Sequence, residues 1–188
     1  MNKKDLIFKG AMELFVEQGF TASVNELINR INIAKGTLYH HIDSKEQLIV
    51  DIYKNLMFEI ERVCVNEFNE DDPKEYNKQV FGEIVKWFIS NPAKFHYIRL
   101  FETSPYVRNQ VGRVEETLLG PRKNIMQKLN LGILKAYSPD LIKYFDFAFT
   151  RSMADYFLSL ENPLQCFEQG FAQAFDLYWD GVALKRNE

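Results

Sequence analysis

The residues best suited to chemistry lie in one short stretch, Lys35-Gly36-Thr37-Leu38-Tyr39-His40-His41-Ile42, followed by Asp43-Ser44-Lys45-Glu46-Gln47. An ammonium, a hydroxyl, a phenol and an imidazole stand close together there, a donor set suited to phosphate oxygens and base edges. No nucleophile elbow, glycine-rich phosphate loop or HExxH pair accompanies them, so no enzymatic activity is expected. His40 and His41 are neighbours and point about 100° apart on a helix, and no carboxylate stands four residues on from either. No metal and no cofactor are expected. As a helix the stretch is poor, because Gly36 costs about 0.5–1 kcal/mol relative to alanine. Leu38 and Ile42 mark one apolar face, with Lys35, Thr37, Tyr39 and His40 mainly on the other. A helix lying against DNA accounts for an exposed tyrosine and histidine beside a glycine; solvated surface residues are the plain alternative.

Something must hold so short a helix in place, since about two turns do not persist alone in water. Ile7, Ala11, Leu14 and Phe15 give a first helix that Gly19 ends. Thr21 or Ser23 can cap a second, which contains Val24, Leu27 and Ile28. Arg30-Ile31-Asn32-Ile33 connects it to the third, with Asn32 at ease with positive φ. Ser44-Lys45-Glu46-Gln47 is a capping box opening a fourth helix, whose Leu48, Ile52, Leu56 and Ile60 keep an apolar face to about Phe68. Two short helices joined by a tight turn and buttressed by a first make a helix-turn-helix. Its second helix enters the major groove by its first turn, here Lys35, Gly36 and Thr37, while Tyr39, His40 and Lys45 reach phosphates.

Prolines punctuate the rest. Asp72-Pro73, Asn91-Pro92, Ser104-Pro105, Ser138-Pro139 and Asn162-Pro163 each pair a capping residue with a proline at the first helical position. Gly120-Pro121 reads as a stop and restart, so helices are expected from about 73, 92, 105, 121, 139 and 163. No stretch alternates with period two for long, and the expected class is all-α. The chain has 188 residues, 46% of them hydrophobic and 26% charged, ordinary for a globular protein. No apolar run approaches a membrane span, and Asp5, Lys9 and Glu13 interrupt any signal-peptide core, so a cytoplasmic location and no membrane partner are expected. Cys64 and Cys166 read as buried free thiols. The net charge is −3. Residues 1–54 balance Lys3, Lys4, Lys9, Arg30, Lys35, Lys45 and Lys54 against Asp5, Glu13, Glu17, Glu26, Asp43, Glu46 and Asp51. DNA binding must therefore rest on where a few cations sit.

Residues 7–54 resemble the DNA-binding domain of the TetR/AcrR family of bacterial transcriptional regulators. The resemblance rests on Phe15-Val16-Glu17-Gln18-Gly19-Phe20, Thr21-Ala22-Ser23-Val24, Lys35 to His41 and Ser44-Lys45-Glu46-Gln47-Leu48. It implies DNA contacts at Ser23, Lys35, Gly36, Thr37, Tyr39, His40 and Lys45. This chain departs from the pattern at Ala34, where a Ser or Thr cap is usual, at Asn32, where Gly is usual, and at Ile28, where a small residue is usual. Ile28 is therefore expected to alter how the two helices cross. The resemblance further implies an N-terminal three-helix domain, 1–47, joined by a long helix to an all-helical regulatory and dimerisation domain, 48–188. The last two long helices would pair with those of a second subunit.

The expected function is a homodimeric, ligand-responsive repressor that binds a palindromic operator on double-stranded DNA and is released by a small apolar or aromatic effector. Phe58, Trp87, Phe88, Tyr97, Phe101, Phe145 and Phe149 are candidate effector contacts, with mutual packing the alternative. Arg99, Glu102, Arg151 and Asp155 either orient a ligand or pair with one another. Phe157, Phe167, Phe171, Phe175 and Tyr178 are the expected dimer contacts. Two rival readings stay open: a DNA-binding dimer without a small-molecule ligand, acting as an activator or through a protein partner, and an all-α interaction module or enzyme.

Overall fold

The computed structural model describes residues 2–64, 72–106 and 133–184. Among them the chain forms eight helices: α1 (Lys3–Gln18), α2 (Val24–Ile31), α3 (Lys35–His41), α4 (Lys45–Val63), α5 (Pro73–Ser90), α6 (Pro92–Glu102), α7 (Pro139–Leu158) and α8 (Pro163–Val182). The one extended pairing among the described residues is an antiparallel bridge between Leu134 and Ala183. The fold is all-α. Prolines at 73, 92, 139 and 163 each open a helix, Pro105 opens a helical turn at the edge of the described residues, and the expected start at Pro121 lies outside them.

Helix ends follow from local hydrogen bonding. Asn2 and Asp5 form a capping box on α1, and Gly19 closes it at φ 76°, a left-handed φ that a Cβ would strain. Ser23 and Glu26 form a second box on α2, and Asn32 ends that helix at φ 50°, ψ 56°. The Gln47 amide donates to Ser44 Oγ at 3.0 Å, but the Gln47 side chain donates onward to Asp51 at 2.7 Å, so only half of the expected box on α4 forms. Asp72 accepts from the Lys74 and Glu75 amides at the start of α5. Asn91 reverses its expected role: its side chain donates back to the Trp87 carbonyl at 2.9 Å and closes α5. Ser138 caps α7, whereas Asn162 makes no side-chain bond at the start of α8.

The described chain divides into two compact units, residues 2–58 with 93–106, and residues 59–64, 72–92 and 133–184. In the first, Ile7, Leu14, Phe15, Leu27, Leu38, Leu48, Ile49 and Ile52 are buried with Phe95, Tyr97, Ile98 and Phe101 of α6. The Phe20 ring, beyond the α1 cap, meets Phe15, Tyr97, Phe101 and Tyr106 edge-on at 5.5–6.5 Å. Tyr53 stacks on Phe101 at 4.1 Å, and the buried Tyr97 hydroxyl donates to the Ile49 carbonyl at 2.8 Å. Burial pushes the Tyr97 phenol far above its usual range. Arg30 grips Glu17 with both guanidinium nitrogens and ties α2 to α1.

The second unit packs α5, α7 and α8 mutually. Phe81, Val85, Ile142, Phe157, Phe167, Phe171, Phe175, Tyr178 and Val182 form its buried core with Leu134 and Cys64. Gly82 permits close contact here, since a Cβ would lie 3.2 Å from the Phe171 ring. Burial pushes the Cys64 thiol up to about 12, and Cys166 is also a free thiol. The ion pairs Lys74–Asp176 and Lys86–Glu168 link α5 to α8 at the surface, where such pairs contribute at most about 1 kcal/mol.

The α1–α2 crossing has a tight point that the sequence did not reveal. Ile28, expected to alter the crossing, is only half-buried; a Cβ on Gly10 would instead stand 2.2 Å from the Ile31 Cγ2 methyl. That methyl belongs to a β-branched side chain with little rotamer freedom in a helix. Gly10→Ala is therefore expected to lower unfolding free energy by about 1–3 kcal/mol in urea titrations, and Gly10→Ala/Ile31→Ala to recover part of the loss. An unchanged midpoint for Gly10→Ala would show that the crossing accommodates the extra carbon freely.

Candidate nucleic-acid interface

α3 owes little to its own sequence. Ala34 at its N-cap has an extended backbone (φ −70°, ψ 147°) and makes no side-chain bond, as the missing hydroxyl requires. The helix has only seven residues. It is held by the burial of Leu38, 0% exposed, and Ile42. The turn before it is fixed by Asn32, whose amide donates to the Ile28 carbonyl, and by Ile33, whose amide donates to the same oxygen at 3.3 Å.

This anchorage leaves the opposite side of α3 free. Lys35, Gly36, Tyr39 and His40 are exposed, and Thr37 is half-buried. A Cβ on Gly36 would meet nothing within 4 Å. The fold itself therefore does not demand a glycine there. His40 and His41 lie edge to face at 5.2 Å. Lys45 is half-buried in the first turn of α4.

Ser23, also exposed, is already engaged. The Glu26 amide donates to Ser23 Oγ at 3.2 Å, and the Ser23 amide donates to Glu26 Oε2 at 2.6 Å. The Ser23 hydroxyl proton stays available to an external acceptor. The Ser23 amide, then its hydroxyl, hold the Glu26 carboxyl below the usual carboxylate range against an opposing effect of desolvation, with the Lys45 ammonium the least of the influences. Glu26 is the charged neighbour of this surface that the motif reading passed over, although its i+3 spacing from Ser23 was legible as a capping box.

The candidate effector contacts do not share one environment. Tyr97 and Phe101 belong to the first unit, packed as described above. In the second, Trp87 lies beside the buried Phe88 at 5.7 Å, and Phe149 is surrounded by Phe81, Phe171, Phe175 and Tyr178 at 4.7–6.4 Å. Phe58 and Phe145 face outward, 46% and 53% exposed, so they do not line an interior. Arg151 is buried, with its guanidinium 4.6 Å from the Phe147 ring centre and 5.7 Å from that of Phe88. Arg99 stands 3.9 Å from Glu102, a surface pair.

The aromatic residues expected at a dimer contact are placed inside. Phe157, Phe167, Phe171, Phe175 and Tyr178 are all buried in the core of their own unit, and the Tyr178 hydroxyl donates to Asp146. They have almost no surface left to give a partner. The exposed apolar side chains on these helices are Leu141, Tyr144, Phe145 and Tyr156 of α7 and Leu164 and Leu177 of α8. Leu141, Phe145, Ala148 and Tyr156 repeat at helical spacing and mark a stripe distinct from that of the buried Phe157.

A paired set of short helices, the second presenting its donors outward beside the capped starts of two others, defines a helix-turn-helix DNA-binding module. Residues 7–52 match the family model of the bacterial regulatory proteins, tetR family. The chain is 27% identical over 141 residues to the transposon Tn10 TetC protein of Escherichia coli, covering 73% of this chain and 71% of that protein. It is 27% identical over 150 residues to the biofilm operon icaADBC HTH-type negative transcriptional regulator IcaR of Staphylococcus epidermidis, covering 76% and 69% of the two chains. A TetR family transcription regulator from Shewanella sp. PV-4 superimposes with a TM-score of 0.88 at 26% identity, covering 98% of this chain and 100% of that one. Together these likenesses support a TetR family transcriptional regulator. Among the described residues no helix is long and apolar enough to cross a membrane.

Lys35→Ala and Lys45→Ala are expected to weaken binding to a duplex recovered by genome-wide site selection, each lowering the magnitude of the salt slope by about one. Lys35→Ala should cost about 1–3 kcal/mol if it reaches a guanine edge. Fluorescence anisotropy across a salt series measures both, and unchanged affinity in both variants would place the interface elsewhere.

Proposed function

We propose that the chain acts in the cytoplasm as a homodimeric repressor that binds a palindromic operator, with residues 1–47 reading DNA and residues 48–188 carrying regulation and dimerisation. The observation that carries this reading is the outward face of α3, where Lys35, Thr37, Tyr39 and His40 surround a glycine that the fold does not need. Ser23 and Lys45 would hold the flanking phosphates. Negative control is supported by the similarity to IcaR, named as a negative transcriptional regulator.

Dimerisation is supported by the second apolar stripe of α7. Leu141, Tyr144, Phe145 and Tyr156, with Leu177 of α8, expose more large apolar surface than scattered surface residues require. A twofold contact there would place two copies of α3 on related half-sites. Release by a small apolar or aromatic effector rests on the family resemblance and on the aromatic interior of the second unit. One observation favours the rival without such a ligand: Phe149 and its neighbours already pack on one another.

The dimer reading has a direct test. Leu141→Glu/Phe145→Glu is expected to keep the helical circular dichroism of the parent while sedimenting as a monomer. Operator affinity should fall roughly a hundredfold or more, because the second half-site no longer binds intramolecularly. A variant that stays dimeric with unchanged affinity would reject this face. Thermal melts with a library of apolar and aromatic compounds address the effector: a compound that raises Tm and releases DNA supports it, and none doing so favours the rival.

A further inference from the structure

We propose that Glu26 is a charge brake on DNA affinity: it positions the Ser23 hydroxyl and at the same time sets a carboxylate against the phosphate path between Ser23 and Lys45. The inference rests on the DNA-binding reading of α3 and adds a residue that opposes binding.

The geometry supplies both halves. By donating its amide to Ser23 Oγ (3.2 Å) and accepting the Ser23 amide (2.6 Å), Glu26 leaves the Ser23 hydroxyl proton as the group free to donate outward. The Glu26 carboxylate itself takes the Ser23 amide, one of the donors at the start of α2 that otherwise attract an anion. An internal carboxylate thus occupies part of the seat a phosphate would use. Glu26 is exposed, so its charge faces the solvent from which DNA arrives. Lys45, at the start of α4, is the least of the influences that hold the Glu26 carboxyl below its usual range. Among residues 1–54, whose basic and acidic residues balance, one carboxylate at the contact surface carries weight. It suppresses sequence-independent attachment, which depends on cations meeting phosphates.

Two substitutions separate positioning from charge. Glu26→Gln keeps an oxygen able to accept the Ser23 amide and removes the charge. It should bind a mixed-sequence 30-base-pair duplex roughly threefold to tenfold more tightly than the parent at about 50 mM salt, with the gain shrinking as salt rises. Glu26→Ala loses the cap as well and should show a smaller gain together with a lower Tm. In a Lys45→Ala background the gain from Glu26→Gln should be reduced, because one of the charges it offsets is gone. Equal or weaker duplex binding by a folded Glu26→Gln protein would overturn the inference, as would a gain that salt leaves unchanged. If the parent protein itself shows no salt-sensitive duplex binding, the DNA-binding reading fails first, a separately readable result.

Discussion

The burial of Leu38 is the contact on which the reading surface depends. Seven residues cannot sustain an α-helix, and this one lacks a capping side chain and carries a glycine in its first turn. Its conformation is imposed from outside, through Leu38 and Ile42 on one side and the Asn32 turn and the Ser44 cap at its two ends. Because all of the holding is done by one face and the ends, the other face owes nothing to stability. Lys35, Tyr39 and His40 are free to meet a ligand. The supports are braced in turn: α2 meets α1 closely at Gly10, Arg30 binds Glu17, and Phe20 keys the α1–α2 turn among the rings of α1 and α6.

This division explains what the sequence made legible. The helix-turn-helix is written in local rules, each needing only a few neighbouring residues: Gly19 as a stop, Ser23 with Glu26 as a start, Asn32 as a left-handed turn. Prolines at first helical positions likewise locate α5, α6, α7 and α8, because a missing N–H is a local property. The reading fails where a residue faces a choice between neighbours. Asn91 sits between two helices and can serve either; its amide turned back to the Trp87 carbonyl. Gln47 similarly chose Asp51 over the backbone of Ser44.

The aromatic residues of α7 and α8 show a deeper obstacle. α7 is apolar on two sides, so period alone assigns residues to faces without saying which face is inward. Packing decides: the space between α5, α7 and α8 is filled by Phe157, Phe171, Phe175 and Tyr178, with Gly82 in close contact with the Phe171 ring. Phe145 and Tyr156 are left outside. The same packing admits Arg151, whose flat guanidinium lies over aromatic faces and pairs its charge with their electron density. A charged residue in an apolar helix therefore had a reading besides ligand or ion pair.

The neutral balance of the first fifty-odd residues then carries a mechanistic meaning. Non-specific attachment to DNA grows with the number of cations that meet phosphates, and it brings a protein to every sequence alike. On the function proposed here, a reading surface with few cations, one of them offset by Glu26, would attach weakly to any single half-site. Useful occupancy would then come from what multiplies specific contacts: base edges met by the first turn of α3, and a second copy of the chain. If the exposed stripe of α7 joins two copies as proposed, the modest charge of the reading surface would make binding sensitive to how those copies are joined. Such sensitivity is what a regulator needs, since a change of about 1–3 kcal/mol in the joined state is enough to alter occupancy severalfold.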